Sequence, residues 1–178
     1  APRQVGKTYL FAGLLFSLCI DRPGLLVIWS AHHSRTHDET FLAMQAFAQR
    51  SKVEPFIRHV HTGSGDEEIA FTNGSRILFG AREAGFGRGI PGVDVLIFDE
   101  AQILSEKALA NMLATMNTSD FGLHVYIGTP PKPEDAGKAE VFTRMRRQAA
   151  AGDLPDGAWV EIGAEPDSKP DDRAGWAR

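Results

Sequence analysis

The stretch from Val93 to Gln102, VDVLIFDEAQ, limits what this chain can fold into more than any other. Four consecutive apolar residues, Val95 to Phe98, lie between Asp94 and Asp99, with Val93 just outside. An apolar run without polar alternation reads as a strand buried on both faces, as in a parallel sheet. Helices must then cover both faces, which makes the chain an α/β protein. Asp99 and Glu100 emerge at the carboxyl edge of that sheet, where open α/β folds bind ligands. Adjacent carboxylates there have two explanations. One is a nucleotide-bound magnesium held by the first acid and a water activated by the second. The other is Asp99 acting only as the N-cap of the next helix. The strand by itself does not choose between them.

The opening of the chain bears on that choice. Ala1 to Thr8 reads APRQVGKT. Against the pattern G-x-x-x-x-G-K-[ST], Gly6, Lys7 and Thr8 match, and Ala1 stands where the first glycine would be. Backbone N–H groups of such a loop cradle phosphate oxygens at a helix N-terminus. Lys7 would reach the β- and γ-phosphates, and Thr8 would ligate magnesium. Thr8 to Ile20 is apolar nearly all round, so a buried helix is expected, ending at Asp21-Arg22-Pro23-Gly24. The chain starts inside the motif, without the strand that precedes such a loop, and so reads as a fragment.

Further strands and helices alternate downstream. Leu25 to Trp29 is a second buried strand, followed by the polar loop Ser30 to Thr36 and a helix from about Asp38 to Lys52. His32, His33 and His37 lack a carboxylate or cysteine cluster at ligand spacing, which argues against a metal site and for a loop that contacts substrate or DNA backbone, the alternative being a solvated loop. His59 and His61 fall on one face of a short strand, Phe56 to His61, and read as surface residues. Glu68–Thr72 and Ser75–Gly80 flank Asn73-Gly74, a strong hairpin signal, and the second arm contains a core strand, Ile77 to Phe79. The glycine-rich segment 80–92 carries Arg82 and Arg88. Gly87 to Gly92 fits G-x-G-x-x-G, but it precedes a strand where a dinucleotide fingerprint follows one. The functional reading of these arginines is neutralisation of charge on a transferred phosphoryl group; the alternative is a solvated turn. A helix starting at Ser105 runs to about Met116. Leu123–Ile127 is a strand ending in Gly128-Thr129-Pro130. Another helix spans about 136–151, and Trp159–Ile162 suggests a last short strand.

Charge adds one boundary. The formal net charge is -4, and residues 153–178 hold three basic and seven acidic side chains, so the remainder is balanced. A balanced body gives no general argument for nucleic-acid binding, yet leaves room for a local basic stripe. Cys19 is the single cysteine, so no disulfide forms within the chain. With no signal peptide, a reducing cytoplasmic setting is expected.

Four strand ends thus carry polar motifs: the P-loop, Ser30–Thr36, Asp99-Glu100 and Gly128–Pro130. A parallel sheet brings them to one edge. The expected fold is α/β, a P-loop NTPase of the ASCE/RecA-like type, with a mostly parallel central sheet flanked by helices, plus a β-hairpin.

These motifs resemble a family. Arg3-Gln4-Val5-Gly6-Lys7-Thr8 looks like the variant P-loop of the large terminase subunit of tailed bacteriophages. Phe98-Asp99-Glu100-Ala101-Gln102 looks like its acidic strand, and Gly128-Thr129-Pro130 like its coupling motif. The arginine–glycine loop before the acidic strand is also similar. The resemblance covers about residues 1–165 and implies an ATPase that pumps double-stranded DNA into a preformed capsid. It implies ATP and Mg2+ as ligands, with Arg3, Gln4, Val5, Gly6, Lys7 and Thr8 around the nucleotide and Thr8 and Asp99 on the metal. Glu100 would polarise the attacking water. Arg3 and Arg88 become the arginine-finger candidates, and Gly128, Thr129 and Pro130 the coupling segment. Implied partners are double-stranded DNA, a portal protein, the small terminase subunit and further copies in a ring, in the host-cell cytoplasm. Residues 1–163 would form the ATPase domain, truncated before its first strand. Residues 164–178 would be an acidic linker towards a downstream nuclease domain.

Two other readings compete. A superfamily 2 helicase shares the DEA-x acidic motif, but usually has a Gly-Ser/Thr-Gly-Lys P-loop and a Ser-Ala-Thr motif. A non-catalytic nucleotide-binding or capsid-docking module is the second. The isolated piece is expected to hydrolyse ATP poorly.

Overall fold

The computed structural model describes residues 6–63, 65–82, 85–87, 89–131, 139–154 and 156–162. The acidic strand is the spine. Val95–Phe98 (β5) is buried along its whole length, and it pairs in parallel with Leu26–Ala31 (β1), Val27 opposite Val95 and Ser30 opposite Phe98. On its other side it pairs in parallel with Leu123–Tyr126 (β6). The other neighbour of β1 is Arg76–Ala81 (β4), again parallel. Glu68–Phe71 (β3) and Ile57–His61 (β2) extend the sheet by antiparallel pairing, giving the order β2-β3-β4-β1-β5-β6.

Alternation along the central strands explains the two helical layers. Val27, Trp29, Val95 and Ile97 face one side, where they meet Phe16 and Cys19 of Lys7–Asp21 (α1) and Phe41 and Met44 of Ser34–Ala48 (α2). Ile28, Leu96 and Phe98 face the other, against Met112 of Glu106–Leu113 (α3) and Phe142 of Glu140–Ala150 (α4). Both faces of the sheet are therefore cores, as an unbroken apolar run requires. Burial pushes the Cys19 thiol up to about 12, which leaves it an inert core side chain.

The hairpin does more than turn. The Asn73 side chain donates to the Cys19 and Ile20 carbonyls at 2.8 and 3.1 Å, satisfying the last turn of α1. Ser75 Oγ donates to the Arg22 carbonyl and accepts from Leu25 N–H. The end of α1, the start of β1 and the hairpin are thus fixed together, and with them the distance from α1 to the sheet.

Three expectations need correction. Helix α1 is not buried all round: Ala12, Leu15, Phe16 and Cys19 form one buried stripe, while Tyr9, Leu10 and Leu14 are 58%, 60% and 55% exposed. The described elements pack on only one side of it. Helix α2 starts at Ser34, inside the stretch expected to be loop. Trp159–Ile162 forms no strand; Trp159 instead packs on Phe142, and Glu161 pairs with Arg146 on the surface. Among the described residues no helix is long and apolar enough to cross a membrane.

Candidate active site

The carboxyl edge of the parallel strands opens into a cleft of about 430 Å³. Lys7 and Thr8 enter it from α1, Thr36 and Glu39 from α2, Asp99, Glu100 and Gln102 from the turn after β5, and Gly128 and Thr129 from the segment after β6. A neighbouring cavity of about 370 Å³ shares Lys7 and Thr8 but is walled by Tyr9, Ala12 and Phe47. The acids lie only in the first, so that is where cation and phosphate chemistry belongs. Sites expected from three separate motifs are therefore together. Pro130 follows them in the chain but is exposed and outside the cleft lining. Arg3, Gln4, Val5 and Arg88 lie outside the described residues.

Gly6 sets the start of α1 with φ 81°, a left-handed value that glycine adopts without strain, and among the described residues no side chain caps the helix. A helix N-terminus without a side-chain cap, with Lys7 in its first turn, suits an anion.

The turn after β5 rules out the helix-cap explanation of the acids. Asp99 caps nothing downstream: its Oδ1 accepts from the adjacent Glu100 N–H at 2.9 Å. Helix α3 has its own cap, Ser105, which accepts from Ala108 N–H. Burial pushes the Asp99 carboxyl above its ordinary range. The Glu100 N–H opposes this, the Glu100 charge adds to it, and Trp29 and Arg82 pull it back. The Trp29 indole N–H faces this carboxyl without reaching hydrogen-bond geometry, and it has no other partner among the described residues. A half-buried, partly desolvated carboxylate whose charged form is under-compensated is a natural cation ligand.

Glu100 has φ 52° and ψ 43°, and is the sole non-glycine residue at positive φ among those described. For an L-residue that conformation costs about 1–2 kcal/mol. It turns the side chain into the cleft, where Oε2 accepts from His32 N–H at 3.2 Å and Oε1 accepts from the Thr36 hydroxyl at 3.1 Å. The Asp99–Glu100 peptide is held from both sides. Its N–H is taken by the Asp99 carboxylate, and its carbonyl accepts from Arg82 Nη2 at 2.7 Å. Arg82 Nη1 also donates to the Ser30 carbonyl, which in turn accepts from Asp99 N–H. Hydrogen bonds to a charged group contribute about 1.5–3 kcal/mol, enough to offset the strain. Arg82 is therefore not in a solvated turn. It is half-buried, and desolvation lowers its pKa to about 10, so it is still a cation at neutral pH.

Gln102 joins this turn to the strand end after β6. Its Oε1 accepts from Thr129 N–H at 3.3 Å. A Cβ on Gly128 would lie 2.9 Å from that oxygen and 3.0 Å from the Phe142 ring, so a larger residue there would displace the Gln102 amide from the contact. Thr36, Arg82 and Gln102 are site residues that motif reading missed or left open. Their signals were weak: a polar loop at the right edge, an arginine just after a strand, and a polar residue directly after DEA.

The histidines are not a cluster. The His32 and His33 rings touch edge to face, whereas His37 is buried on α2 with Nδ1 3.0 Å from Asp38 and Nε2 3.6 Å from Glu67. The two carboxylates contact opposite nitrogens of one imidazole, and one ligand atom from each of His37, Asp38 and Glu67 lies within 4.8 Å of the others.

A mostly parallel sheet with a glycine–lysine–threonine helix start facing an acidic strand end defines the fold of a P-loop NTPase. The chain belongs to the family described as terminase large subunit, T4likevirus-type, N-terminal, whose model matches residues 1–149. The large terminase of bacteriophage HK97 is similar in structure, with TM-score 0.76 and 16% identity over 94% of this chain and 35% of that one. The large terminase ATPase domain of Thermus phage P74-26 gives TM-score 0.59 and 18% identity over 73% of this chain and 57% of that one. The large terminase of a further, thermophilic bacteriophage gives TM-score 0.60 and 12% identity over 82% of this chain and 36% of that one. At such identities these likenesses establish the fold, and the chain spans between about a third and somewhat over half of those proteins. The family match sets aside the helicase alternative. No curated protein matches the chain.

Proposed function

We propose that this chain is the ATP-hydrolysing part of a phage DNA-packaging motor, converting ATP hydrolysis into movement of double-stranded DNA into a procapsid. The observation that carries this reading is the single cleft shared by Lys7, Thr8, Asp99, Glu100 and Thr129. Family membership supplies the biological setting. The side chains suit Mg-nucleotide: the Lys7 ammonium to pair with phosphate, and the Thr8 hydroxyl and the half-buried Asp99 carboxylate as hard oxygen ligands. Thr8 and Asp99 would hold Mg2+, and the ion would neutralise charge on the transferred phosphoryl group. Lys7 binds the β- and γ-phosphates. Glu100 accepts a hydrogen bond from the attacking water and orients it; its oxygens keep lone pairs for this beside their bonds to His32 and Thr36.

The Gln102–Thr129 contact supports a route from hydrolysis to motion. A shift of the Glu100 turn on phosphate release moves Gln102, and with it the Gly128–Pro130 segment. Arg3 and Arg88 remain the candidates for a finger on the phosphoryl group. DNA, a portal protein, a small terminase subunit and further copies in a ring are the partners this reading requires, in the host-cell cytoplasm. In the intact protein, Lys7→Ala and Glu100→Gln are each expected to abolish ATP turnover and DNA packaging, measured as phosphate release and as nuclease-protected DNA. Packaging retained by either variant would refute the site assignment.

A further inference from the structure

We propose that Arg82 is the positioning residue for Glu100, holding the water-orienting carboxylate in the cleft by clamping the carbonyl of the Asp99–Glu100 peptide. This rests on the reading of Glu100 as the group that orients water.

The argument begins with how that carboxylate is aimed. A side chain following a strand would leave the sheet edge in an ordinary β or α conformation; Glu100 does neither, at φ 52°. Rotation of the preceding peptide decides that angle, and Arg82 binds that peptide's carbonyl oxygen at 2.7 Å. The same guanidinium holds the Ser30 carbonyl at the end of β1. Ser30 pairs with Phe98, so Arg82 ties the last residues of two neighbouring strands to the turn that leaves them.

Arg82 is itself fixed from behind. It follows β4, whose Gly80 lies so close to the Phe86 ring that a Cβ there would approach within 2.0 Å. Phe86 thereby folds back over the end of β4, while Arg82 reaches across β1 towards the turn after β5 through its bonds to the Ser30 and Asp99 carbonyls. Its Nε is buried without a partner among the described residues, so the side chain is held by its two Nη groups. A half-buried cation whose Nη groups serve the Ser30 and Asp99 carbonyls, with the Ser30 hydroxyl beside them, is poorly explained by packing alone. Lysine could not replace it, because one ammonium cannot span the forked pair of carbonyls.

The inference separates chemistry from binding. Lys7 and Thr8 stand on α1 and are untouched by Arg82, so nucleotide affinity should survive its loss. Misplacement of a reacting group by about 1 Å costs on the order of 100-fold in rate. In the intact protein with saturating Mg2+ and DNA, Arg82→Gln is expected to lower kcat about 30–100-fold while KM for ATP and the Kd of a fluorescent ATP analogue stay within about threefold. Arg82→Lys, which keeps the charge and one carbonyl contact, should recover about a tenth of the wild-type kcat, again with KM unchanged. Melting curves monitor folding, and Glu100→Gln is run alongside. Turnover in Glu100→Gln would remove the reading on which the inference rests. Loss of turnover there, with wild-type kcat in both Arg82 variants, would overturn the inference alone. A matched rise in KM, or failure of both Arg82 variants to fold, would assign Arg82 to the scaffold and overturn it as well.

Discussion

Strand β5 carries an aspartate at each end, and the two behave differently for a physical reason. Asp94, at the amino end, accepts from Leu26 N–H at 2.9 Å and from the Ser119 hydroxyl at 2.5 Å. Both its oxygens are used, and it staples β1 to the approach of β6. Asp99, at the carboxyl end, is compensated only by the N–H next to it and by the weaker influence of Trp29 and Arg82, and its pKa rises. That rise has a consequence for stability. A carboxyl whose folded pKa exceeds its ordinary value of 3.8 favours folding only while protonated, below that value. The benefit is lost as pH rises through the folded pKa, above which the ionised Asp99 works against the metal-free fold. Asp99→Asn should therefore raise the melting temperature of the metal-free protein at pH 7 by about 2–4 °C, for roughly 1 kcal/mol, while abolishing Mg2+-dependent hydrolysis. The gain should shrink as the pH approaches 4. Calorimetry at the two pH values checks this, and a variant less stable than wild type at pH 7 would contradict it. Motif reading could assign the acid to the cleft, but it could not distinguish Asp99 from Asp94 by compensation, because the side chains that compensate each lie far away in the sequence.

At the scale of elements, α1 shows how one end of a helix can serve structure and the other function. Its amino end faces the cleft through Lys7 and Thr8, without a side-chain cap. Its carboxyl end is closed by Asn73, brought from the hairpin some fifty residues on. The Asn-Gly pair marked a turn in the sequence, and Gly74 at φ 89° does take the turn. The second task of Asn73 was invisible there, since it depends on where α1 ends in space. Asn73→Ala removes both bonds to the helix and the bond to Ser75 N–H. The expected loss is about 2 kcal/mol of stability, since part of each bond is regained from water. Affinity for ATP should stay within about twofold, because the nucleotide-binding end is a full helix length away. Chemical denaturation and nucleotide titration on the same preparation test both halves; a large fall in affinity would mean that the hairpin reaches the cleft.

At the scale of the whole molecule, the sheet and the gathering of motifs were legible because buried strands announce themselves as unbroken apolar runs, and parallel strands deliver their ends to one edge. The extent to which each helix is covered was not legible. The apolar sequence of α1 implied burial all round, yet burial follows what lies opposite, and the described elements meet only one stripe of it. Trp159–Ile162 had strand-like composition, but the side chains pair with α4 and no strand partner adjoins them among the described residues. The cleft has a further property that no single motif carries: its walls come from α1, α2, the turn after β5 and the segment after β6, so a ligand there bridges elements spread from Lys7 to Thr129. A ligand that binds only this assembled cleft stabilises all of them together by mass action, by about 2.7 kcal/mol at 100 times its Kd. With a non-hydrolysable ATP analogue and Mg2+, the expected rise in melting temperature is about 5–10 °C as one cooperative transition. Lys7→Ala should remove most of the shift by deleting the phosphate contact, and Asp99→Asn should remove its dependence on Mg2+. Glu100→Gln should leave it intact, since that side chain acts on water and not on the nucleotide. A shift that persists in Lys7→Ala would mean that the analogue binds elsewhere, and a shift lost in Glu100→Gln would mean that the two acids share the metal.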